Sequence, residues 1–220
     1  KGILTSYKLK GEEIIQQGPA PTFWRAPTDN DIGAGFNRNL RMWRNAYDSG
    51  VNLKTTITKI SGSEYRISFS KELVNGDAQH EQSFTVYGDG RVKVENNFTA
   101  IKGKYPLLLR AGNDITINKD FGNITWYGRG PGENYLDRKT NTFIGQYKQT
   151  VDEQYYPYAR PQESGNKTDV RWVSFTNEKG KGLRIVASDS LLNISALPYS
   201  QDDLDPEMNK KQYHSGELVP

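Results

Sequence analysis

Apolar and polar side chains alternate one for one along most of the chain's apolar segments. Tyr65, Ile67 and Phe69 alternate with Arg66, Ser68 and Ser70, and Val92, Val94 and Phe98 with Arg91, Lys93, Glu95 and Asn97. Leu183, Ile185 and Ala187 repeat the pattern, as do Leu192, Ile194 and Ala196. Successive strand side chains point to opposite faces, so a period of two predicts sheet with one face buried and the other solvated. Antiparallel sheets have that habit, whereas parallel ones are usually covered on both faces.

Turn signals punctuate these runs. Gly88-Asp89-Gly90, between Phe84–Tyr87 and Arg91–Phe98, reads as a hairpin in which glycine supplies positive φ. Glu178–Gly182 joins Val170–Thr176 to Leu183–Ser188, and Asp189-Ser190 leads into the next run. Roughly nine or ten candidate strands at this spacing predict an all-β sandwich. Two short helices are expected beside them. Phe36, Leu40, Trp43 and Tyr47 share one helical face ahead of a stop at Gly50. Pro206 to about His214 follows Asp205 as N-cap, with Glu207 near the start and Lys210, Lys211 and His214 near the end, as the helix dipole favours. No repeat, heptad array or linker divides the chain, so residues 1–220 read as one domain.

Composition narrows the chemistry. Net charge is only +3, and the basic residues do not cluster, so nucleic acid is not an expected partner. No apolar run approaches the roughly 18 residues of a membrane span. The absence of Cys removes disulfides, thiolate zinc sites and a cysteine nucleophile, and two histidines leave little room for a histidine metal cluster. Ser174 and Ser195 lack a nucleophile-elbow setting, and no single pair stands out among the many Asp and Glu residues. The chain begins at Lys1 without a signal segment and stops after a polar stretch, so both ends read as cut from something longer.

Three irregular stretches carry the unusual residues. Phe23–Gly33 (FWRAPTDNDIG) gathers Trp24, Arg25, Asp29, Asn30 and Asp31, either to present polar groups to a ligand or neighbour or to build local Asx turns. Asp-Asn-Asp lacks the ligand ladder of a calcium helix–loop–helix. Trp126–Arg138 (WYGRGPGENYLDR) is glycine-rich, but no Gly-Lys-Ser/Thr follows and Pro131 has no N–H, so it is no phosphate loop. Arg129, Glu133, Asp137 and Arg138 fit an ion-pair network instead, with Asn134 and Tyr135 between them. Tyr155–Asn166 (YYPYARPQESGN) offers Tyr158, Glu163 and Asn166, a composition suited equally to gripping a sugar or to packing a loop on a sheet. Four Asn-X-Ser/Thr matches are too short a pattern to carry weight, and three sit on or beside predicted strands.

Taken in order, FWRAPTDNDIG, WYGRGPGENYLDR, YYPYARPQESGNKTDVRWVSF and PYSQDDLDPEMNKKQYHSGEL resemble the C-terminal, small-chain domain of family 2 β-galactosidases over nearly the whole chain. The resemblance implies a large antiparallel β-supersandwich, similar to galactose mutarotase. It implies an intact enzyme that removes terminal β-galactose with retention, through two glutamates on a TIM barrel. Such a barrel takes about 250 residues of alternating βα pattern, which this sequence lacks. The domain is then an accessory of chemistry located elsewhere, inactive alone, with the other domains of the parent chain as partners and a galactoside as the intact enzyme's substrate. A carbohydrate-binding module is the alternative, and a mutarotase-like epimerase is disfavoured because His80 sits in a charged approach to a strand and His214 at a helix end, so neither is placed for it.

In the family a loop carrying a tryptophan enters the sugar site beyond the segment matching Tyr213–Leu218. The four tryptophans here, Trp24, Trp43, Trp126 and Trp172, all lie in other motifs, so that loop and the last strands are expected to be missing. The resemblance also places a peripheral monovalent cation at positions matching the carbonyls of Pro161 and Leu204, with a side-chain ligand at Glu207. A carboxylate there would favour calcium over sodium, although pairing with the helix start explains Glu207 without a metal. A divalent metal belongs to the intact enzyme's barrel. The compartment, cytoplasmic or periplasmic, follows from the N-terminus of the parent chain.

Overall fold

The computed structural model describes residues 2–102 and 107–205. In chain order its strands are β1 (Tyr7–Leu9), β2 (Glu12–Thr22), β3 (Val51–Lys59), β4 (Tyr65–Leu73), β5 (Ala78–Val86), β6 (Val92–Ala100), β7 (Gly112–Ile117), β8 (Asn123–Gly130), β9 (Phe143–Thr150), β10 (Lys167–Val170), β11 (Trp172–Thr176), β12 (Gly182–Val186) and β13 (Leu192–Ile194). The helices are α1 (Asp29–Gly33), α2 (Phe36–Asn39) and α3 (Gln201–Leu204). The fold is all-β, as expected, with sheets ordered β3-β4-β5-β6, β12-β11-β8-β9, β1-β2-β7 and β10-β13. The strand pairings described residue by residue are all antiparallel.

The chain divides into two compact units. The first takes in Ile15–Arg25 and Ala34–Thr116; the second takes in Lys8–Ile14, Ala26–Gly33 and the chain from Ile117 onward.

In the first unit the sheet is a meander. Ile67 faces Phe84, which faces Val94, and Tyr65 faces Val86, which faces Val92. The next residues along each strand, Arg66, Thr85 and Lys93, form a polar row on the opposite face. The expected hairpin closes as read: Tyr87 N–H donates to the Arg91 carbonyl at 2.9 Å, and Gly90 takes φ 91°, which a Cβ would strain. Phe23, Trp24, Leu40, Trp43, Tyr47, Leu73 and Ala78 form the core.

The predicted amphipathic helix keeps its face but not its continuity. After α2 the chain leaves helical geometry at Leu40 (φ −109°, ψ 6°) and continues through a 3₁₀ turn, Arg41–Trp43. Asn37, Asn39, Asn45 and Ser49 are weak helix formers that compete for backbone groups, and Ser49 Oγ donates to the Asn45 carbonyl at 2.8 Å. A spacing of three or four residues still brings Leu40, Trp43 and Tyr47 into the core.

His80 corrects a second expectation. It is buried on β5 between the rings of Phe23 and Tyr47, at 5.5 and 5.6 Å, rather than lying in a charged approach to a strand. Lys71, its partner across β4, is buried too, with Nζ 3.0 Å from the Tyr47 carbonyl and 4.1 Å from the Tyr47 ring centroid. Burial, opposed by a hydrogen bond to Asn96 and aided by Lys71, holds the His80 imidazole down to about 4, so it is neutral at pH 7.

In the second unit Ile124, Trp126, Val170 and Val173 form a core between β8, β10 and β11. The segment expected to be a loop at Trp126–Gly130 is the end of β8, and the strand expected at Val170–Thr176 is cut at Arg171 into β10 and β11. The hairpin from β11 to β12 closes with Asn177 N–H donating to Lys181 O at 2.8 Å, as its glycines predict. α3 has no counterpart among the helices the sequence predicts. Ser200 and Asp203 cap it reciprocally, Ser200 Oγ accepting from Asp203 N–H at 3.2 Å and Asp203 Oδ2 accepting from Ser200 N–H at 2.8 Å. The helix expected from Pro206 to His214, with Glu207, lies outside the described residues.

Candidate functional site

Strand β8 delivers its C-terminal end to the loop that carries most of the sequence-predicted residues. Two glycines make this possible. A Cβ on Gly128 would lie 2.8 Å from Val170 Cα, and one on Gly130 would lie 2.7 Å from the Tyr147 ring. The strand therefore passes close under β10 and ends against the core aromatics.

Glu133 is the hub of this loop cluster. Its Oε1 accepts from Arg138 Nη2 at 2.6 Å and from the Tyr158 hydroxyl, while Oε2 accepts from the Gly165 N–H at 2.8 Å. Arg138 also donates to the Tyr158 oxygen at 3.1 Å. Those bonds, from Tyr158 foremost, hold the guanidinium more firmly protonated than usual, and burial pushes the Tyr158 phenol up. Asn134, fully buried, ties the same two loops together. Its backbone N–H donates to the Asn166 carbonyl at 2.7 Å, and Asn166 Nδ2 returns a bond to the Asn134 carbonyl at 2.7 Å.

Beneath the hub lie further charged and polar groups, of which the sequence motifs single out Tyr135 and Glu163 but not Lys167. Lys167 is 2 % exposed, with Nζ 3.0 Å from the Gly165 carbonyl and 5.4 Å from the Trp126 ring centroid. Burial outweighs the pull of Glu133 and lowers the ammonium to about 8. Tyr135 is pushed well above the usual phenol range by burial, with Glu163 and Glu133 adding to the effect. Glu163 is buried and accepts from Ser195 Oγ at 3.0 Å.

The ion pairs differ from those expected. Arg138 does pair with Glu133, but Arg129 turns to Asp169, its Nε 2.6 Å from Oδ2. Lys139 joins that carboxylate at 3.3 Å. Arg129, foremost, and Lys139 hold the Asp169 carboxyl below its ordinary value. Asp137 lies exposed in the Tyr135–Arg138 turn and forms no ion pair among the described residues.

The FWRAPTDNDIG motif divides between the units. Trp24 is a core residue of the first, followed by half-buried Arg25. Ala26 onward belongs to the second, where Thr28 and Asp31 cap α1 by exchanging bonds of 3.0 and 3.2 Å. Asp29 pairs with Arg160 at 3.1 Å and exchanges two 3.2 Å bonds with Gln162, and Asn30 is exposed. The aromatic rings of YYPYARPQESGN mainly meet other tyrosines. Tyr155 packs on Tyr199 at 5.1 Å and Tyr156 on Tyr158 at 4.6 Å, while Tyr156 keeps half its surface open.

Pro161 and Leu204, the candidate carbonyl ligands of a cation, are both buried, and Glu207 lies outside the described residues. Main-chain carbonyls suit a hard cation. Among the described residues no three His, Asp or Glu side chains gather as a metal site. No helix among them is long and apolar enough to cross a membrane.

Asp169, Lys167, Lys139 and Gln162 are the members of this cluster that sequence reasoning missed. Each lies next to or within a motif already singled out, and nearness to one was the available signal.

What the cluster can do chemically is limited by where its acids point. Glu133 is engaged on both oxygens, Glu163 is buried, and Asp169 carries two cations. Around them Leu136 and Phe143 stand 70 % and 74 % exposed. The loops are braced from within and apolar at the rim.

Comparison with known proteins identifies relatives of the whole chain. The family model described as the beta galactosidase small chain matches residues 1–220. A beta-galactosidase of Priestia megaterium is 39 % identical over 205 residues, which is 93 % of this chain and 20 % of that protein. Beta-galactosidases of Lactobacillus delbrueckii subsp. bulgaricus and Halalkalibacterium halodurans are 35 % and 30 % identical, each over 93 % of this chain and 20 % of the relative. The chain spans about a fifth of the length of the curated relatives it matches.

Proposed function

The chain belongs to the beta-galactosidase small-chain family, and from that premise we propose that it is an accessory, structural part of a retaining β-galactosidase of glycoside hydrolase family 2. The intact enzyme hydrolyses terminal β-D-galactose residues. Its acid/base and nucleophile are two glutamates on a TIM barrel outside these 220 residues, along with the divalent metal of that barrel. A retaining mechanism needs two carboxyl groups about 5–5.5 Å apart across an open sugar site.

The observation that carries this reading is Glu133. It is the acid at the centre of the motif-bearing loops, and both its oxygens are taken by Arg138, Tyr158 and Gly165. A carboxylate so engaged holds loops in place and is not presented to a glycosidic oxygen. The braced loops then offer Leu136 and Phe143 to a neighbouring domain of the parent chain. A peripheral cation, calcium or sodium, would be held by the carbonyls of Pro161 and Leu204 and by Glu207, outside the described residues.

The test compares the 220-residue chain with the full-length enzyme on an aryl β-galactoside. The full-length enzyme turns it over and the chain alone does not. Turnover by the chain alone, with contaminating enzyme excluded, overturns the reading.

A further inference from the structure

The sheet β12-β11-β8-β9 buries one face as the core of the second unit, and its other, largely polar face carries an apolar row at one end. Direct register sets Val186 opposite Trp172 and Trp172 opposite Tyr127 across three adjacent strands. Val186 is 62 % exposed and Tyr127 39 %. Ile144 extends the row on β9, opposite Arg129 and two residues from Gln146, the partner of Tyr127. A solvent face of an antiparallel sheet is ordinarily polar, and a contiguous Trp, Tyr, Val and Ile patch marks an interaction site.

The charges on the strands themselves have one sign, while Glu178 and Glu153 sit at the far end of this face on Asn123 and Thr150. The four strands contain Arg129, Lys148 and Arg184 and no Asp or Glu. Arg129 is neutralised by Asp169. Among the described residues Arg184, Lys148 and Arg171, which links β10 to β11, have no carboxylate within salt-bridge distance. Two of these cations are already oriented. Arg184 lies over the Trp172 ring at 4.6 Å, with its Nε fixed to Ser174 Oγ at 2.8 Å. Arg171 lies over the Tyr127 ring at 5.5 Å, with Nη1 fixed to the Asp169 carbonyl at 2.6 Å. Stacked, pre-ordered guanidinium groups are suited to carboxylates, and Trp, Tyr and Arg together are the residues that dominate protein interfaces.

We propose that this face is a docking surface for an acidic, apolar-bearing segment of the same polypeptide outside these 220 residues. The inference rests on the proposed place of the chain as one part of a longer β-galactosidase. Charge complementarity selects the occupant. A second copy of this face would set Arg184 and Lys148 against their own like charges. Residues 206–220 carry two Lys against two Glu and are no acidic match. The remaining four-fifths of the parent's length is the source with enough chain to supply one.

The experiment uses the full-length enzyme. Carbodiimide treatment joins an amine directly to a carboxylate it touches, and mass spectrometry then maps what Lys148 is joined to. The expected product joins Lys148 to an Asp or Glu of the same molecule outside residues 1–220. Hydroxyl-radical labelling is expected to find Trp172 and Tyr127 at least tenfold slower than a free tyrosine. Arg184→Glu should abolish the Lys148 product and raise labelling of both rings, while Trp126 and Tyr147 on the core face stay protected. If those two also become labelled, the milder Arg184→Gln variant replaces it, with the same pattern expected. Joining of Lys148 to a second copy, shown with isotopically mixed enzyme, overturns the proposal. So does protection of the rings only after galactoside is added, or labelling at the free-tyrosine rate throughout. None of these readouts is turnover, so failure here is distinct from failure of the functional reading.

Discussion

Asn134 Oδ1 accepts two hydrogen bonds from one residue, the backbone N–H of Thr168 at 2.8 Å and its hydroxyl at 2.6 Å. Both residues are fully buried, so neither bond has water as a substitute. Through this pair the GPGENYLDR loop is fastened to β10, and with it the position of the neighbouring Glu133. The loops are thus positioned from the inside outward, by an amide first and by the carboxylate second.

Replacing Asn134 by Ala should be among the most damaging single changes in the second unit. It strands the Thr168 N–H and hydroxyl without an acceptor, at about 1–3 kcal/mol for each unsatisfied buried group. A total loss of about 2–4 kcal/mol is expected in urea unfolding followed by tryptophan fluorescence. Thr168→Val removes the hydroxyl alone and should cost about 1 kcal/mol. Equal losses for the two variants would mean that the amide is not the fastening.

Glu133→Gln separates a bracing role from a chemical one. The amide keeps the shape of the side chain but gives up the charge that draws Arg138 and replaces one acceptor by a donor. In the full-length enzyme a loss of about 1–3 kcal/mol in stability is expected, with kcat per folded molecule changed by no more than about twofold. A hundredfold fall in kcat at unchanged stability would make Glu133 a participant in the chemistry.

How much of this was legible depends on the range of the determining contact. The strands β4 and β6 and their hairpin turns are readable because alternation and Gly90 are local. The start of β5 is not, because His80 and Gln82 look polar while the fold buries both. Their burial is settled by partners remote in sequence: Asn96 on β6 and Asn113 on β7 for Gln82, and Asn96, Phe23 and Tyr47 for His80. The Glu133–Arg138 pair is legible at five residues' separation. The Arg129–Asp169 pair, 40 residues apart, is not. Asp169 also adopts φ 55°, a left-handed conformation that Asp tolerates better than most residues and that no neighbour announces. The broken helix at Leu40 shows the same limit from the other side. Spacing reveals which residues are buried, while weak helix formers such as Asn37 and Asn39 leave the continuity of the helix unspecified.

His80 should make the first unit sensitive to mild acid. Its folded value of about 4 lies below the ordinary 6.5, so between the two the unfolded chain binds a proton that the folded chain refuses. The stability tied to neutral His80 is complete above 6.5 and falls as pH drops towards 4, by about 3 kcal/mol in all. Lys71, charged and in register beside it, opposes protonation. Unfolding measured at pH 7, 5.5 and 4.5 should show the decline, and His80→Leu should flatten it. A slope unchanged by the substitution would assign the acid sensitivity to other groups.

Lys167 predicts the opposite end of the pH scale. Its ammonium, lowered from 10.5 to about 8, is refused by the folded second unit across a range where the unfolded chain keeps it. The folded state therefore gains stability as pH rises from about 8 to 10.5, and loses that gain as pH falls back through 8, again by about 3 kcal/mol. Tyr47, raised to about 12, favours the folded state below 10 and loses that contribution towards 12. It acts alike in the native chain and in a Lys167 variant, so their difference cancels it. Lys167→Met keeps the stem that packs on Trp126 and removes the charge. The stability of the native chain relative to the Met variant should rise by about 1.4 kcal/mol per pH unit between 8 and 10.5 and be level below 8. A flat difference across that range would show that the buried ammonium is as well accommodated by the Gly165 carbonyl as it is by water.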